Sequence, residues 1–224
     1  MLPTPTVKDI DYDKVYEPSE DSFLLLDCFE QEQDFIRKRF KDDDVVPLIT
    51  EIGSGSGIVS TFFINHILPK SIVLTTDVNP HACQTTLNTC RQNQAESENK
   101  TSTLDAAQMN LTDAVRPGSI DLLIFNPPYV PASEVPVIPK DEQDPTWLDL
   151  ALLGGEDGMV TTWQVLNNLH SILSKDRGVA YILFCARNKP NEVSEIMKKQ
   201  GWKVDVIISR KAGWEVLSVL RFQK

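Results

Sequence analysis

Asn126-Pro127-Pro128-Tyr129 follows directly on the apolar run Ile120-Asp121-Leu122-Leu123-Ile124-Phe125. A buried strand thus ends in a polar amide, two prolines and an aromatic. Proline carries no N–H, so sheet pairing stops at Pro127. A residue that precedes a proline is held extended, which keeps Asn126 out at the strand tip. The outcome is a rigid set of hydrogen-bond acceptors beside an aromatic face. Such a set suits a planar –NH2 group, which offers two N–H donors in one plane. Taken alone, the tetrapeptide also reads as a proline-rich turn leaving a strand.

A second motif lies upstream. Val45-Val46-Pro47-Leu48-Ile49-Thr50-Glu51 runs into Ile52-Gly53-Ser54-Gly55-Ser56-Gly57, after which Ile58 to Asn65 reads as the opening of a helix. Alternate glycines allow positive φ and let a ligand approach the backbone. The spacing is G-x-G-x-G, not the dinucleotide pattern G-x-G-x-x-G. A pyrophosphate wants a helix N-terminus, and Glu51 at the head of the loop would repel it. The same carboxylate suits the ammonium of an amino-acid tail, so the loop favours S-adenosylmethionine over NAD. The next strand, Ser71-Ile72-Val73-Leu74-Thr75-Thr76-Asp77, ends in an acid twenty positions beyond Gly57. At the end of the second strand of a βαβ unit, such an acid can accept both ribose hydroxyls. Asp77 could equally cap the helix starting at Pro80, although Asn79-Pro80 is the better cap pair.

These residues need a frame that brings strand ends together, and 224 residues with 41% apolar content supply one α/β domain. We read 1–224 as a single unit in which 1–44 form an N-terminal extension and helix. Residues 1–18 are Pro-rich and extended. Ser19-Glu20-Asp21-Ser22 caps a helix from Asp21 to Phe40, with Phe23, Leu24, Leu26, Phe35 and Ile36 inside. Asp42-Asp43-Asp44 makes a solvated break. Strand 46–51, helix 57–66, strand 71–77 and helix 80–94 follow, then a polar loop over 95–102, strand 103–109 and strand 120–126. The proline-bearing stretch 130–150 reads as a long loop, and loops of that length are uncommon unless functional, so it is expected to wall a substrate cleft. Gly154-Gly155-Glu156-Asp157-Gly158 opens a helix to Leu173. Strand 178–185, helix 190–200 and strands 203–209 and 215–222 complete the chain, the last two as an antiparallel hairpin. The alternation predicts a seven-stranded, mostly parallel sheet with helices on both faces. Gly53, Asp77 and Asn126 all fall at carboxyl ends of strands, where ligands of such sheets bind.

Net charge is −10. That opposes docking on nucleic acid, whose affinity comes largely from phosphate neutralisation, and suits a protein or cationic partner. Arg37-Lys38-Arg39 and Lys198-Lys199 read as solvated helix ends. Cys28, Cys83, Cys90 and Cys185 form no C-x-x-C, and His66, His81 and His170 form no H-x-x-x-H, so no metal site is expected. Cys83 and Cys90, seven apart on a helix, should share its buried face. Neither a signal region at Met1-Leu2-Pro3-Thr4-Pro5 nor a membrane-length apolar run is visible. A reduced cytoplasmic or nuclear setting is expected.

With these motifs in hand, the sequence resembles the eukaryotic branch of the HemK-like glutamine methyltransferases. Asn126-Pro127-Pro128-Tyr129 is similar to the signature of methyltransferases acting on planar nitrogen, which adenine methyltransferases share. Tyr16-Glu17-Pro18-Ser19-Glu20-Asp21-Ser22 resembles the branch's N-terminal signature, Glu51 to Gly57 its methyl-donor loop, and Leu152-Leu153-Gly154-Gly155-Glu156-Asp157-Gly158 the segment after the catalytic loop. The resemblance implies a Rossmann-like class I methyltransferase that uses S-adenosylmethionine. Its target would be the side-chain nitrogen of the glutamine in the Gly-Gly-Gln loop of the class 1 translation termination factor. It also implies a heterodimer with a small zinc-binding activator, for which the edge strand near Thr103–Met109 is a candidate docking edge. Carried over residue by residue, Ser22, Glu51, Gly53, Gly55, Gly57 and Asp77 contact the donor, while Asn126, Pro127 and Tyr129 hold the acceptor, with Asn126 between the two. The family's acid-leucine pair that contacts adenine is represented here by Asn110-Leu111, an amide without charge. An N6-adenine methyltransferase, an inactive binding module and, more distantly, an NAD oxidoreductase stay open as alternatives.

Overall fold

A computed structural model describes residues 1–41, 44–93 and 103–224. Two helices, α1 (Glu20–Gln31) and α2 (Gln33–Arg39), precede the sheet. Alternation then gives β1 (Leu48–Ile52), α3 (Ile58–Phe62), β2 (Ile72–Asp77), α4 (Pro80–Gln92), β3 (Thr103–Gln108) and β4 (Leu122–Phe125). After β4 come a short α5 (Asp149–Leu152), α6 (Val160–Ile172), β5 (Val179–Cys185), α7 (Pro190–Lys199), β6 (Lys203–Ala212) and β7 (Glu215–Gln223). The strands form one sheet in the order β3-β2-β1-β4-β5-β7-β6, parallel up to β5, with β7 antiparallel to both β5 and β6. This is the class I methyltransferase arrangement with its C-terminal hairpin.

The central strands β4 and β5 are buried along their whole length, as apolar runs covered on both faces must be. On one face Leu25, Phe29 and Ile36 of the N-terminal helices and Phe62 and Phe63 pack on Ile49, Ile124 and Tyr181. On the other, Val165 and Leu169 of α6 and Met197 of α7 pack on Leu123, Ile182 and Leu220. All four cysteines are buried and outside any disulfide, Cys83 and Cys90 on the inner side of α4. No described helix is long and apolar enough to cross a membrane.

Several boundaries differ from expectation. The helix expected over 21–40 breaks at Glu32, whose backbone (φ −88°, ψ 4°) ends α1 and starts α2. That bend delivers the Glu32 carboxylate to the Tyr181 hydroxyl at 2.9 Å and to the Arg221 guanidinium. Ser19 sits at the helix start without a side-chain cap bond, and Phe23 is 38% exposed because the buried face of α1 runs through Leu24, Leu25, Cys28 and Phe29. The helix after the glycine loop is regular only to Phe62 and then widens into a π-turn over Phe63–Ile67. The stretch 130–150 is not all loop: Asp144 caps a 3-10 turn at Pro145–Leu148, and α5 follows. The glycine-rich segment before α6 is a separate turn, so that helix begins only at Val160. The expected break at Asp42-Asp43 and the polar loop over 95–102 lie outside the described residues.

Candidate active site

Register brings the strand ends to one level. Ile52 pairs with Thr76 on one side and Phe125 on the other, so Gly53, Asp77 and Asn126 emerge side by side. They share a cleft of about 420 Å³ with Ser22, Glu51, Gly55, Asn110, Leu111, Pro127 and Tyr129. That size is within the range of small-molecule sites, about 300–1,000 Å³. The segment after Tyr129 forms a wall through Val135, Ile138 and Trp147. It is tied across the mouth by Lys14 Nζ, which donates to Gln143 Oε1 at 3.1 Å, and by His81 Nε2, 2.7 Å from the Glu142 carbonyl.

One half of the cleft is built from the first βαβ unit. Gly53 and Gly55 adopt φ of +68° and +51°, a turn that most side chains resist. The Gly55 N–H donates to Asp77 Oδ2 at 3.1 Å and the Asn79 N–H to Asp77 Oδ1 at 2.9 Å, so the acid holds the loop against the start of α4. Asn79 itself caps α4 by accepting from the His81 N–H. Glu51 is 3% exposed; its Oε2 accepts from the Ser60 N–H at 3.1 Å and from the Ser60 hydroxyl. Burial pushes Glu51 up to about 8, against the two Ser60 bonds and with the help of nearby Asp77. Burial likewise pushes Asp77 up to about 6, against its backbone donors. Among the described residues, no basic side chain offsets either burial. Two buried acids in that state are a receptor for a cationic ligand.

The other half centres on Asn126. Its Nδ2 donates to Asp21 Oδ2 at 3.1 Å. Asp21, in the first turn of α1 and 3% exposed, accepts on its other oxygen from the Ser22 N–H at 2.6 Å and the Ser22 hydroxyl at 3.3 Å. The amide of Asn126 is thereby oriented, and its Oδ1 is buried with no hydrogen-bond partner among the described residues. An unpaired buried carbonyl is costly, on the order of 1–3 kcal/mol, unless a ligand supplies a donor. Tyr129 lies half-buried beside it, its hydroxyl held far above the usual range by burial and then by Asp21.

The backbone of this loop is braced from afar. Val130 N–H donates to the Leu152 carbonyl at 3.0 Å, and Gly154 N–H returns to the Val130 carbonyl at 2.8 Å. Asn188 Nδ2 donates to the carbonyls of Tyr129 (3.1 Å) and Asp157 (3.0 Å), while its Oδ1 accepts from the Cys185 N–H. A Cβ on Gly154 would collide with the Pro128 carbonyl, and one on Gly158 with that of Tyr129. The Leu152 to Gly158 segment thus lets another stretch of backbone lie against it.

Of the expected site residues, Gly57 alone is not part of the cleft lining. It takes φ +74° at the start of α3, and a Cβ there would come within 2.6 Å of Thr86 Cα, so it is a glycine for helix packing. Asn110 and Leu111 do line the cleft, Asn110 donating to Asp113 Oδ2 at 3.1 Å and Leu111 held at φ +47°. Asp21 and Asn188 were not anticipated. Asp21 lies inside the Tyr16 to Ser22 signature, next to the residue that was singled out; Asn188 carries no local signal. No cluster of His, Cys, Asp or Glu able to hold a metal occurs among the described residues.

Comparison with known proteins gives a consistent picture. A family model described as "Methyltransferase small domain" matches residues 22–138. The chain is 36% identical over 230 residues to the eRF1 methyltransferase catalytic subunit mtq2 of Schizosaccharomyces pombe, covering 100% of this chain and 96% of that one. It is 36% identical to Methyltransferase HEMK2 of Homo sapiens, covering 95% and 91%. Among solved structures, the E. cuniculi Mtq2-Trm112 complex, responsible for methylation of the eRF1 translation termination factor, aligns with a TM-score of 0.60 at 19% identity over 94% of this chain and 99% of that one. The N-terminal domain of human METTL16 in complex with SAH aligns at 0.58 and 18% identity over 96% and 74%.

Proposed function

The chain belongs to the methyltransferase small domain family and to its mtq2 and HEMK2 relatives, and from that premise we propose that it methylates the side-chain nitrogen of a glutamine in a protein. The substrate is the Gly-Gly-Gln loop of the eukaryotic class 1 termination factor, in keeping with the activity named for the fission yeast relative. The observation that carries this reading is the buried Oδ1 of Asn126, without a hydrogen-bond partner among the described residues, on a residue that lines the same cleft as Gly53 and Asp77.

The residues fit S-adenosylmethionine: buried Glu51 and Asp77 for its charged tail and ribose, and the φ-positive turn at Gly53 and Gly55 for close approach. When bound, that cofactor supplies an electrophilic methyl group. Everything else falls to the chain. Asn126 Oδ1 and the Pro127 carbonyl accept the two N–H bonds of the substrate amide, and Tyr129 packs on its plane. An amide nitrogen is a weak nucleophile because its lone pair is delocalised; holding both hydrogens aims that lone pair. Positioning of well-held reactants can lower a barrier by several kcal/mol, up to about 7–11. The same two oxygens stabilise positive charge growing on nitrogen. The nitrogen gains one N–C bond and releases one proton to solvent, and no side chain is assigned as base before transfer.

The enzyme acts as a heterodimer with a small zinc-binding activator, as the Trm112 partner of the E. cuniculi protein supports. β3 is an outermost strand of the sheet among the described residues, and its outer edge is the surface we assign to strand addition. Four buried cysteines outside any disulfide accord with the reduced cytoplasmic or nuclear setting that we propose. The test is mass spectrometry of a Gly-Gly-Gln protein loop after incubation with labelled donor, with DNA and RNA as parallel acceptors. Methyl transfer to glutamine is expected; transfer to adenine instead would overturn the assignment. An isolated chain that is monodisperse and fully active would remove the obligate partner.

A further inference from the structure

An asparagine carboxamide occupies nearly the same space either way round, yet the proposed reaction works only if Asn126 offers its oxygen to the cleft. We infer that Asp21 is the positioning residue that sets this orientation, an inference that rests on the reading of Asn126 as acceptor of the substrate N–H. An ionised carboxylate only accepts hydrogen bonds. Asp21 can therefore be met by the NH2 side of Asn126 and not by its oxygen, and the 3.1 Å bond between them is of that kind. The two residues are separated by 105 positions, so the first turn of α1 is held against the tip of β4 by this contact.

The second half of the argument lies at Ser22. Its N–H occupies Asp21 Oδ1 at 2.6 Å and Asn126 meets Oδ2, while the Tyr16 hydroxyl lies against the same carboxylate. An asparagine introduced at position 21 would keep its oxygen on the Ser22 N–H. Its NH2 would then face Asn126, which must turn over to meet it and present its own NH2 to the cleft. The near-isosteric Asp21→Asn change thus inverts the acceptor, whereas Asp21→Ala merely frees it. A packing role predicts the opposite order, because alanine leaves the larger void.

The experiment uses the full chain with its activator subunit. The turnover of a Gly-Gly-Gln substrate, the donor Kd and hydrogen exchange of the Asn126 carboxamide by NMR are measured in wild type, Asp21→Asn and Asp21→Ala. Asp21→Asn should lower kcat on the order of 100-fold, the scale of losing one preorganised hydrogen bond to the reacting group. Asp21→Ala should lose less, and both should leave donor Kd within about twofold, since Asp21 holds Asn126 and not the donor loop. The Asn126 NH2 should be protected in wild type and exchange openly in Asp21→Asn. The reversed pair Asp21→Asn with Asn126→Asp should recover about tenfold over Asp21→Asn alone, because it restores an NH2-to-carboxylate bond with an acceptor facing the cleft. A slower Asp21→Ala than Asp21→Asn, or an unprotected Asn126 amide in wild type, overturns the inference. Failure of the glutamine reading is separable: wild type would be inactive on the peptide, and the exchange measurement would still decide the role of Asp21.

Discussion

The two halves of the cleft are built on different plans. The donor half is local: Glu51, Gly53, Gly55 and Asp77 fall within one βαβ unit, and its internal bonds, Gly55 N–H to Asp77 and Ser60 to Glu51, span 22 and 9 positions. The acceptor half is assembled at long range, Asn126 from Asp21 across 105 positions and the Tyr129 carbonyl from Asn188 across 59. The donor half holds two buried acids, Glu51 and Asp77, whose ionisation burial opposes; the acceptor half holds one oriented neutral amide. On the proposed reading, binding is the work of a contiguous motif, and catalytic geometry the work of the whole fold.

If the division is sound, each half should fail in its own way. The largest effect is expected for Asn126→Ala, which should lower kcat at least on the order of 10²–10³-fold while donor Kd, read by calorimetry, stays within about twofold. Full turnover in that variant would dissolve the acceptor half. Gly158→Ala should cost roughly 1–3 kcal/mol in denaturant unfolding, because the new Cβ meets the Tyr129 carbonyl; its residual defect should again appear in kcat. Asp77→Ala should do the reverse, weakening the donor by roughly 1–3 kcal/mol with kcat at saturating donor largely kept. An unchanged Kd would take Asp77 out of the site.

The pH dependence is the most diagnostic. Glu51 sits near 8 in the donor-free chain, and a cationic ligand prefers its ionised form. Donor affinity should therefore rise as pH increases towards 8, by up to about tenfold per unit, and level off above. Glu51→Gln should flatten that dependence. The stability of the donor-free chain runs the other way. Between the ordinary carboxylate range and about 8, the folded state holds a proton that the unfolded state has released, so stability falls as pH rises through that window. A flat profile in wild type would mean that the carboxyl is not desolvated as described.

The same contrast decides what could be read without coordinates. Strand and helix alternation places Gly53, Asp77 and Asn126 at strand ends, and a parallel sheet then aligns them, so the donor half and the position of Asn126 were legible. Glycine types and spacing did not separate Gly53, which faces the cleft, from Gly57, which packs on Thr86. Asp21 was visible as part of a motif, but its use depends on which oxygen Ser22 occupies. The break of the N-terminal helix at Glu32 places its carboxylate on Arg221, 189 positions away. Periodicity does not register a partner at that distance, and it also left Phe23 inside when α1 turns it to solvent.

The Ser60-bound carboxyl of Glu51 has one more consequence. Near neutrality an arriving ligand will expel a proton into the medium, and the medium will take it up with its own heat. Titrations run in Tris and in phosphate should then return different apparent enthalpies for a single affinity, and the slope of that difference counts the proton directly.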